Sequence, residues 1–402
     1  MGKITTKKRI LFSFRGQVTI NGQIMSEKPG IFCAQNGQKL WVFGQPAGGV
    51  HMRKRWNKLW KGFVLFTVVL VVLAGGAGVL FGEELKIASS IRRLSGADRV
   101  YYMEADTDYH FEEFLEAGGA ASDKEVSAFL TKCISKGFYQ MEVANEGPAC
   151  SVISALDGAG SHVWGRNFDW DGSVPIIVKC TPKDGYASVS TCDFKNITDS
   201  AEIVPEQFAY KMLAIAALYV PMDGMNEAGL CVADLEVNES GMIAVDTDKP
   251  DLTVTTAIRL LLNRAATVEE AVALLGQYDL HASGGISHHL AISDASGASV
   301  SVEFVDGEMV VVDTNCVTNF NLANGDPAAG GESAQQRYFK LCEIYEGARG
   351  TLTAEAVKQA LSQVAKTEGE WWTQWSIVYQ QDTQTASYYF YGKYEDEIKI
   401  TM

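Results

Sequence analysis

The sequence predicts an α+β fold outside a membrane, tethered by one apolar helix. Three observations predict it. Short strands and tight turns alternate over His288–Ser293, Ala298–Phe304, Glu308–Asp313 and Cys316–Phe320, with Asp294–Gly297 and Asp306-Gly307 as turns, the pattern of an antiparallel meander. Helix-period blocks stand apart from them at Glu206–Leu218, Val254–Leu275 and Thr353–Val364, and such segregation is the mark of α+β layering. Finally, Gly62–Gly82 holds no charged residue. At about 1.5 Å per residue it reaches roughly 31 Å, the thickness of a hydrocarbon core.

The 402 residues are 47% apolar, enough for a packed core, and carry a net charge of −15. That charge is unevenly spread. Residues 1–62 hold twelve Lys/Arg and one acid, Glu27; the remainder holds 22 Lys/Arg against 48 Asp/Glu. A basic head and an acidic body speak for two compartments and against nucleic-acid binding. Arg53, Lys54, Arg55, Lys58 and Lys61 precede the apolar stretch, with Trp56 and Trp60 as interface anchors, and Glu83 and Glu84 follow it. The positive-inside rule then places the N-terminus in the cytoplasm and the body outside, as a single-pass protein of the cell membrane. A buried core helix and a cleaved signal peptide, cut near Ala74-Gly75-Gly76-Ala77, are the competing readings.

The expected organisation is a basic cytoplasmic segment 1–61, an anchor 62–82, a helical lead-in 83–149 and a catalytic domain 150–402. Within the first segment, Lys39–Gly44 reads as a strand, and Met52 is an alternative start because codons for Gly48–His51 can spell a ribosome-binding site. In the lead-in, Phe111–Ala117 and Asp123–Gly137 read as amphipathic helices, the second capped by Ser122 or Asp123 and stopped by Gly137. Asn145–Ala149 is a loop, and Pro148 bars a helix from entering Cys150, so the bond before Cys150 is expected to be exposed or strained.

Cys150–Trp170 reads as a hairpin turning at Asp157–Gly160. Tyr186–Cys192 is a strand, and Val254–Leu275 splits at Ala266-Thr267, where Thr267–Glu270 forms a capping box. Strands at Trp375–Gln381, Thr385–Tyr391 and Ile398–Met402 close the chain.

Eight cysteines lie at 33, 133, 150, 180, 192, 231, 316 and 342 without a Cys-x-x-Cys pair, and the six histidines adjoin only at His288-His289. No metal site is expected, and no cofactor. Disulfides are compatible with this spacing but not demanded by it. Any one of these cysteines is, by residue type alone, most simply a small buried hydrophobe. The hairpin changes the reading of Cys150, because its return strand lays Arg166 and Asp169 beside the thiol. A thiol, a fixed cation and a carboxylate together suggest an activated nucleophile. Without further context Arg166 could be a surface ion pair, and Asp169 a turn or cap residue.

Six short stretches then follow in order: Cys150-Ser151, Gly165–Trp170, Asp223–Leu230, Val317–Phe320, Gln336–Tyr338 and Trp375–Tyr379. Together they resemble the choloylglycine hydrolase family, the linear amide C–N hydrolases, which include bile salt hydrolases and penicillin V acylases. The resemblance runs from about residue 100 to the end. It implies a four-layer α-β-β-α sandwich of the N-terminal-nucleophile type and a precursor cut before the cysteine. The freed α-amine, near pKa ~7.7–8.0, would serve as base for a thiol of ~8.5. It also implies Cys150 as nucleophile, Arg166 beside it, Asp169 on the α-amine, Asn226 as oxyanion-hole donor, Asn319 as second catalytic asparagine and Arg337 as support. By their own context Asn226 could be a turn residue after Asp223-Gly224, and Asn315, Asn321 and Asn324 lie close to Asn319.

Phe320-Asn321, where bile salt hydrolases often carry a proline, leans toward the broader amide hydrolases. The 149 residues before the cysteine resemble the ceramidase-like branch, so activity is expected to need autoproteolysis between Ala149 and Cys150. The expected partners are a small N-acyl amide or bile-salt-like conjugate and a membrane; a homo-oligomer is compatible with the sequence. The alternatives are an acyltransferase using the same cysteine, a papain-like protease pairing Cys150 with His288 or His289, and a binding protein without turnover.

Overall fold

The computed structural model describes residues 19–20, 23–24, 78–137, 149–237, 242–324, 326, 330–368 and 371–402. Two units divide at Gly75/Gly76. The first holds a short antiparallel pair, β1 (Thr19–Ile20) with β2 (Gln23–Ile24), which no sequence signal announced. The strand expected at 39–44 and the alternative start Met52 lie outside the described residues, as does the predicted anchor from 62 to 77. Among the described residues, no helix is long and apolar enough to cross a membrane. Gly82, the expected end of the anchor, instead opens helix α1 (Gly82–Ser90), where Glu84, Ile87 and Ala88 are buried.

The second unit begins with α1, followed by β3 (Arg92–Arg93), β4 (Tyr101–Ala105), α2 (Phe111–Glu116) and α3 (Asp123–Ser135). Next come β5 (Ala149–Leu156), β6 (His162–Trp170), β7 (Pro175–Cys180) and β8 (Ser188–Asp193), then the short helices α4 (Lys195–Thr198) and α5 (Phe208–Leu213). The chain continues through β9 (Asp223–Asn226), β10 (Cys231–Val237), β11 (Asp251–Thr253), α6 (Val254–Arg264), α7 (Val268–Leu275) and β12 (Asp279–His281). The meander β13 (Ser287–Ser293), β14 (Ser299–Val305), β15 (Glu308–Asp313) and β16 (Cys316–Val317) precedes α8 (Gly331–Gly347) and α9 (Ala354–Val364). Three strands finish the fold: β17 (Trp372–Gln380), β18 (Thr385–Phe390) and β19 (Ile398–Thr401).

Two large sheets form. One has nine strands in the order β15-β14-β13-β10-β9-β8-β7-β4-β3, the other six in the order β16-β5-β6-β17-β18-β19. Three separate cores show how they stack. Phe114, Leu130, Ile258, Leu261 and Ala271 pack helices onto one face of the nine-stranded sheet, against Ile176, Val232 and Ile292. Val152, Trp164, Phe168, Met225, Leu235, Trp375 and Ile377 fill the space between the sheets. Ile153, Val163 and Val378 turn the other way and meet Leu341 of α8 and Val357, Ala360 and Leu361 of α9. The layers therefore run helix, sheet, sheet, helix. The period-2 alternation of β5 and β17 decides this, since each strand feeds two cores.

Several capping signals act as the sequence suggests. Ser122 accepts from the Glu125 N–H, Thr267 from Glu270 and Thr353 from Ala356. Other expectations need correction. Glu206–Leu218 is not one helix: α5 passes into a 3-10 turn over Ala214–Leu218, all five residues of which are buried. Ala149 is not in a loop but is the first residue of β5, paired with Asp169, and Cys150 is fully buried. The bond before Cys150 thus lies in extended strand rather than in an exposed turn. At Gly165, a Cβ would stand 2.5 Å from Val357 Cγ1 and 3.1 Å from Leu361 Cδ1, so glycine there is what lets α9 lie close on β6.

Candidate active site

The site is built on the hairpin of β5 and β6. Cys150 pairs with Phe168, Val152 with Arg166 and Ala149 with Asp169. Cys150 and Arg166 both turn into the space between the sheets, where Phe168 stacks on Trp375 at 3.7 Å. Arg166 is wholly buried. Its Nη2 donates to Cys150 Sγ at 3.2 Å and to the Asp234 backbone oxygen at 2.8 Å. Its Nη1 donates to Asp223 Oδ2 at 2.8 Å and to the Met222 carbonyl. A second contact to Asp234 Oδ1 at 3.1 Å completes a cation held by two buried carboxylates. Asp223 is itself fixed by Trp375 Nε1 at 3.0 Å and the Tyr379 hydroxyl at 3.2 Å. The motif Trp375–Tyr379 thus acts through Asp223.

Behind the cysteine backbone lies a second polar group. Asn319 Oδ1 accepts the Cys150 N–H at 2.8 Å and Arg337 Nη2 at 2.8 Å. Asn319 Nδ2 donates to the Glu236 carbonyl at 3.0 Å. Arg337 Nη1 donates to the Cys150 carbonyl and lies 3.8 Å from Asp169 Oδ2. The Thr373 hydroxyl donates to Asp169 Oδ1 at 2.6 Å. Asp169 Oδ2 is buried and accepts no hydrogen bond among the described residues.

Electrostatics sets the resting state of these groups. Burial pushes the Cys150 thiol up to about 12, and the Arg166 guanidinium only partly opposes this. Burial likewise raises the Asp169 carboxyl, against the pull of Arg337. In the continuous chain Cys150 is therefore a protonated thiol at neutral pH.

Five of the six predicted site residues meet in this way: Cys150, Arg166, Asp169, Asn319 and Arg337. Asn226 does not join them. Its Nδ2 donates to the Leu262 and Ala265 carbonyls at 3.1 and 2.7 Å, and its Oδ1 accepts from the Ala228 and Leu230 N–H groups at 3.1 and 3.0 Å. Strand alternation explains the difference. In β9, Asp223 and Met225 face the space between the sheets, so Asn226 faces α6 and ties its C-terminal turn to the loop after β9. Replacing Asn226 by alanine is expected to lower stability by about 2–4 kcal/mol, as several buried backbone groups lose partners, while leaving turnover per folded molecule unchanged. Thermal melts and kcat measured side by side check this.

The sequence did not single out Asp223, Asp234 or Thr373. The signal available was Asp223 directly after the apolar run Ala214–Met222 and Asp234 within the apolar run Leu230–Leu235. The histidines have other commitments. His288 Nδ1 lies 3.4 Å from Asp234 Oδ2 and its Nε2 faces the Ser283 carbonyl at 3.0 Å, while His289 Nδ1 faces Glu303 at 3.5 Å. Among the described residues, no group of His, Cys, Asp and Glu is arranged to hold a metal.

Among solved structures, the chain is similar to a mutant conjugated bile acid hydrolase from Clostridium perfringens, with 18% identity over 63% of this chain and 92% of that one and a TM-score of 0.47. It is also similar to a penicillin V acylase from Agrobacterium tumefaciens, with 19% identity over 60% of this chain and 83% of that one and a TM-score of 0.43. No curated protein matches it. The family model for linear amide C-N hydrolases, choloylglycine hydrolase family, matches residues 150–321, the stretch that carries Cys150, Arg166, Asp169 and Asn319. Over those residues the chain is similar to the choloylglycine hydrolase family of linear amide C-N hydrolases.

Proposed function

We propose that the protein hydrolyses linear amides, with Cys150 as an N-terminal nucleophile freed by cleavage of the Ala149–Cys150 bond. The observation that carries this reading is the idle, buried Oδ2 of Asp169, paired in register with Ala149 on the neighbouring strand. A buried carboxylate oxygen without a donor is costly. A new α-amine at Cys150 would supply one.

In the cleavage, Sγ attacks the Ala149 carbonyl carbon and the acyl group moves from nitrogen to sulfur. The thiol proton ends on the released α-amine, and water then hydrolyses the thioester. In turnover the α-amine takes the Sγ proton, the thiolate attacks the substrate carbonyl, and the same proton leaves on the departing amine. Water, deprotonated by the α-amine, resolves the thioester and regenerates the thiol. Asn319 and Arg337, on the Cys150 backbone, keep the nucleophile in place. The substrate class is an N-acyl amide or bile-salt-like conjugate. The body acts outside the cell membrane, held by the apolar stretch 62–82.

A mass spectrum of the purified protein tests the reading. It should show a chain beginning at Cys150 and, after brief exposure to glycocholate or penicillin V, an acyl adduct on that residue. An active preparation that retains the Ala149–Cys150 bond would overturn it. Product analysis with added amine separates hydrolysis from acyl transfer to that amine.

Asp169→Asn provides a second check. A carboxylate stabilises the protonated amine and raises its pKa. Its loss should lower kcat/KM by about 10²-fold and move the acid limb of the pH–rate profile to lower pH. An unmoved limb would show that Asp169 does not face the amine.

A further inference from the structure

We propose that Cys316 and Cys342 form a thiol–disulfide site, oxidised by a low-molecular-weight disulfide of the glutathione class, that staples β16 to α8. Cys316 sits in β16 opposite Ile153 of β5 and is buried. Cys342 is half-buried on α8 and packs into the same core as Cys316, beside Leu341 and Tyr338. Both are free thiols in this structure.

The pair is asymmetric. Cys316, Tyr338 and Cys342 share this core; the neighbouring Cys316 and Tyr338 draw the Cys342 thiol down to about 7, whereas Cys316 is pushed up as the group that keeps the proton. Burial pushes Cys180, Cys192 and Cys231 up instead. A partly exposed low-pKa thiolate against a protonated neighbour is the arrangement of an attacking and a resolving cysteine.

The steps balance. The Cys342 thiolate attacks one sulfur of the small disulfide, forming a mixed disulfide and releasing one small thiolate. Cys316, giving up its proton, attacks Cys342 Sγ and releases the second. The protein pair is oxidised by two electrons and the small disulfide is reduced to two thiols, which take up the protons.

The location gives the bond a consequence. Asn319 lies three residues after Cys316, and Arg337 five residues before Cys342. Those two side chains bond each other and the Cys150 backbone. A disulfide from Cys316 to Cys342 would close a loop containing both, restricting the unfolded chain where this part of the site is assembled. The proposal is independent of whether Cys150 is the nucleophile.

The test uses the full-length protein, treated with either oxidised glutathione or dithiothreitol, then denatured, alkylated and mapped by peptide mass. The expected result is a linked pair of peptides containing Cys316 and Cys342, and a Tm about 5 °C higher than in the reduced sample. In limited alkylation of the reduced protein, Cys342 should react before Cys133, Cys180, Cys192, Cys231 and Cys316. Cys342→Ser should abolish the linked pair and the Tm difference. A glutathione adduct that persists on Cys342 with Cys316 still free would overturn the proposal. So would a linked pair without a Tm change, or oxidation of Cys180, Cys192 or Cys231 first.

Discussion

Cys150→Ala is expected to leave the chain uncut and to lower amide hydrolysis by at least about 10³-fold, the scale of losing a covalent nucleophile. The substitution removes only Sγ. Its fold should survive, because Asn319 and Arg337 hold the backbone of residue 150 rather than its side chain. The variant therefore isolates chemistry from assembly. Two readouts are needed, chain mass and turnover, and both must fail together if one sulfur performs both steps.

The wild-type thiol adds a third readout. With Cys150 at about 12 in the continuous chain, only on the order of one thiol in ten thousand is ionised at pH 8. Alkylation of Cys150 should be slow in uncut protein and fast once the α-amine is free. Cleavage that persists in Cys150→Ala would assign the cut to an outside protease. Turnover that persists would remove Cys150 from the mechanism.

What the sequence made legible follows from which signals are local. The hairpin was readable because Asp157–Gly160 is turn chemistry and the returning strand has a fixed length; the register Cys150–Phe168 and Ala149–Asp169 is its consequence. Helix caps at Ser122, Thr267 and Thr353 were readable for the same reason. Strands β7 and β10 carried no alternation, being covered on both faces, and so escaped a period-2 reading. Helix α8 escaped because it begins at Gly331 and buries only Ala334, Arg337 and Leu341, too sparse a stripe to see.

Asn226 shows a different limit. The motif Asp223–Leu230 marks a place in the chain but not the face of the sheet. One residue of register separates the space between the sheets, where Asp223 meets Arg166, from the helix side, where Asn226 meets α6. The partners Asp223, Asp234 and Thr373 lie on β9, β10 and β17, and only tertiary pairing brings them to β6. The anchor stretch from 62 to 77 lies outside the described residues, so it stands as the sequence left it.

Arg166→Leu is the substitution expected to damage the fold most. The guanidinium is fully buried and answers acceptors from four residues: Cys150 Sγ, the Met222 carbonyl, the Asp223 carboxylate, and both the carbonyl and carboxylate of Asp234. Leucine fills much of the space but leaves two carboxylates in the core without their cation. Breaking one side of such a buried ion group costs about 3–5 kcal/mol. Lysine is no remedy, since a single ammonium cannot span the fork that reaches Asp223 on one nitrogen and Asp234 and Cys150 on the other.

The pH dependence distinguishes this cause from simple loss of packing. Burial already raises the Asp223 carboxyl, and Arg166 opposes that rise. A carboxyl whose folded pKa is raised favours the fold below its unfolded pKa and loses that contribution as pH climbs through the folded value. Without Arg166 the folded value rises further, so the variant should lose more stability than the parent between pH 5 and pH 8. Melts at the two pH values should show the deficit of Arg166→Leu shrinking at pH 5; equal deficits would mean that packing, not charge, is the reason for the arginine. The same substitution removes a cation hydrogen-bonded to Sγ, so its thiol should be driven above that of the parent, and reactivity at Cys150 should fall even at pH 5, where the fold is most nearly restored.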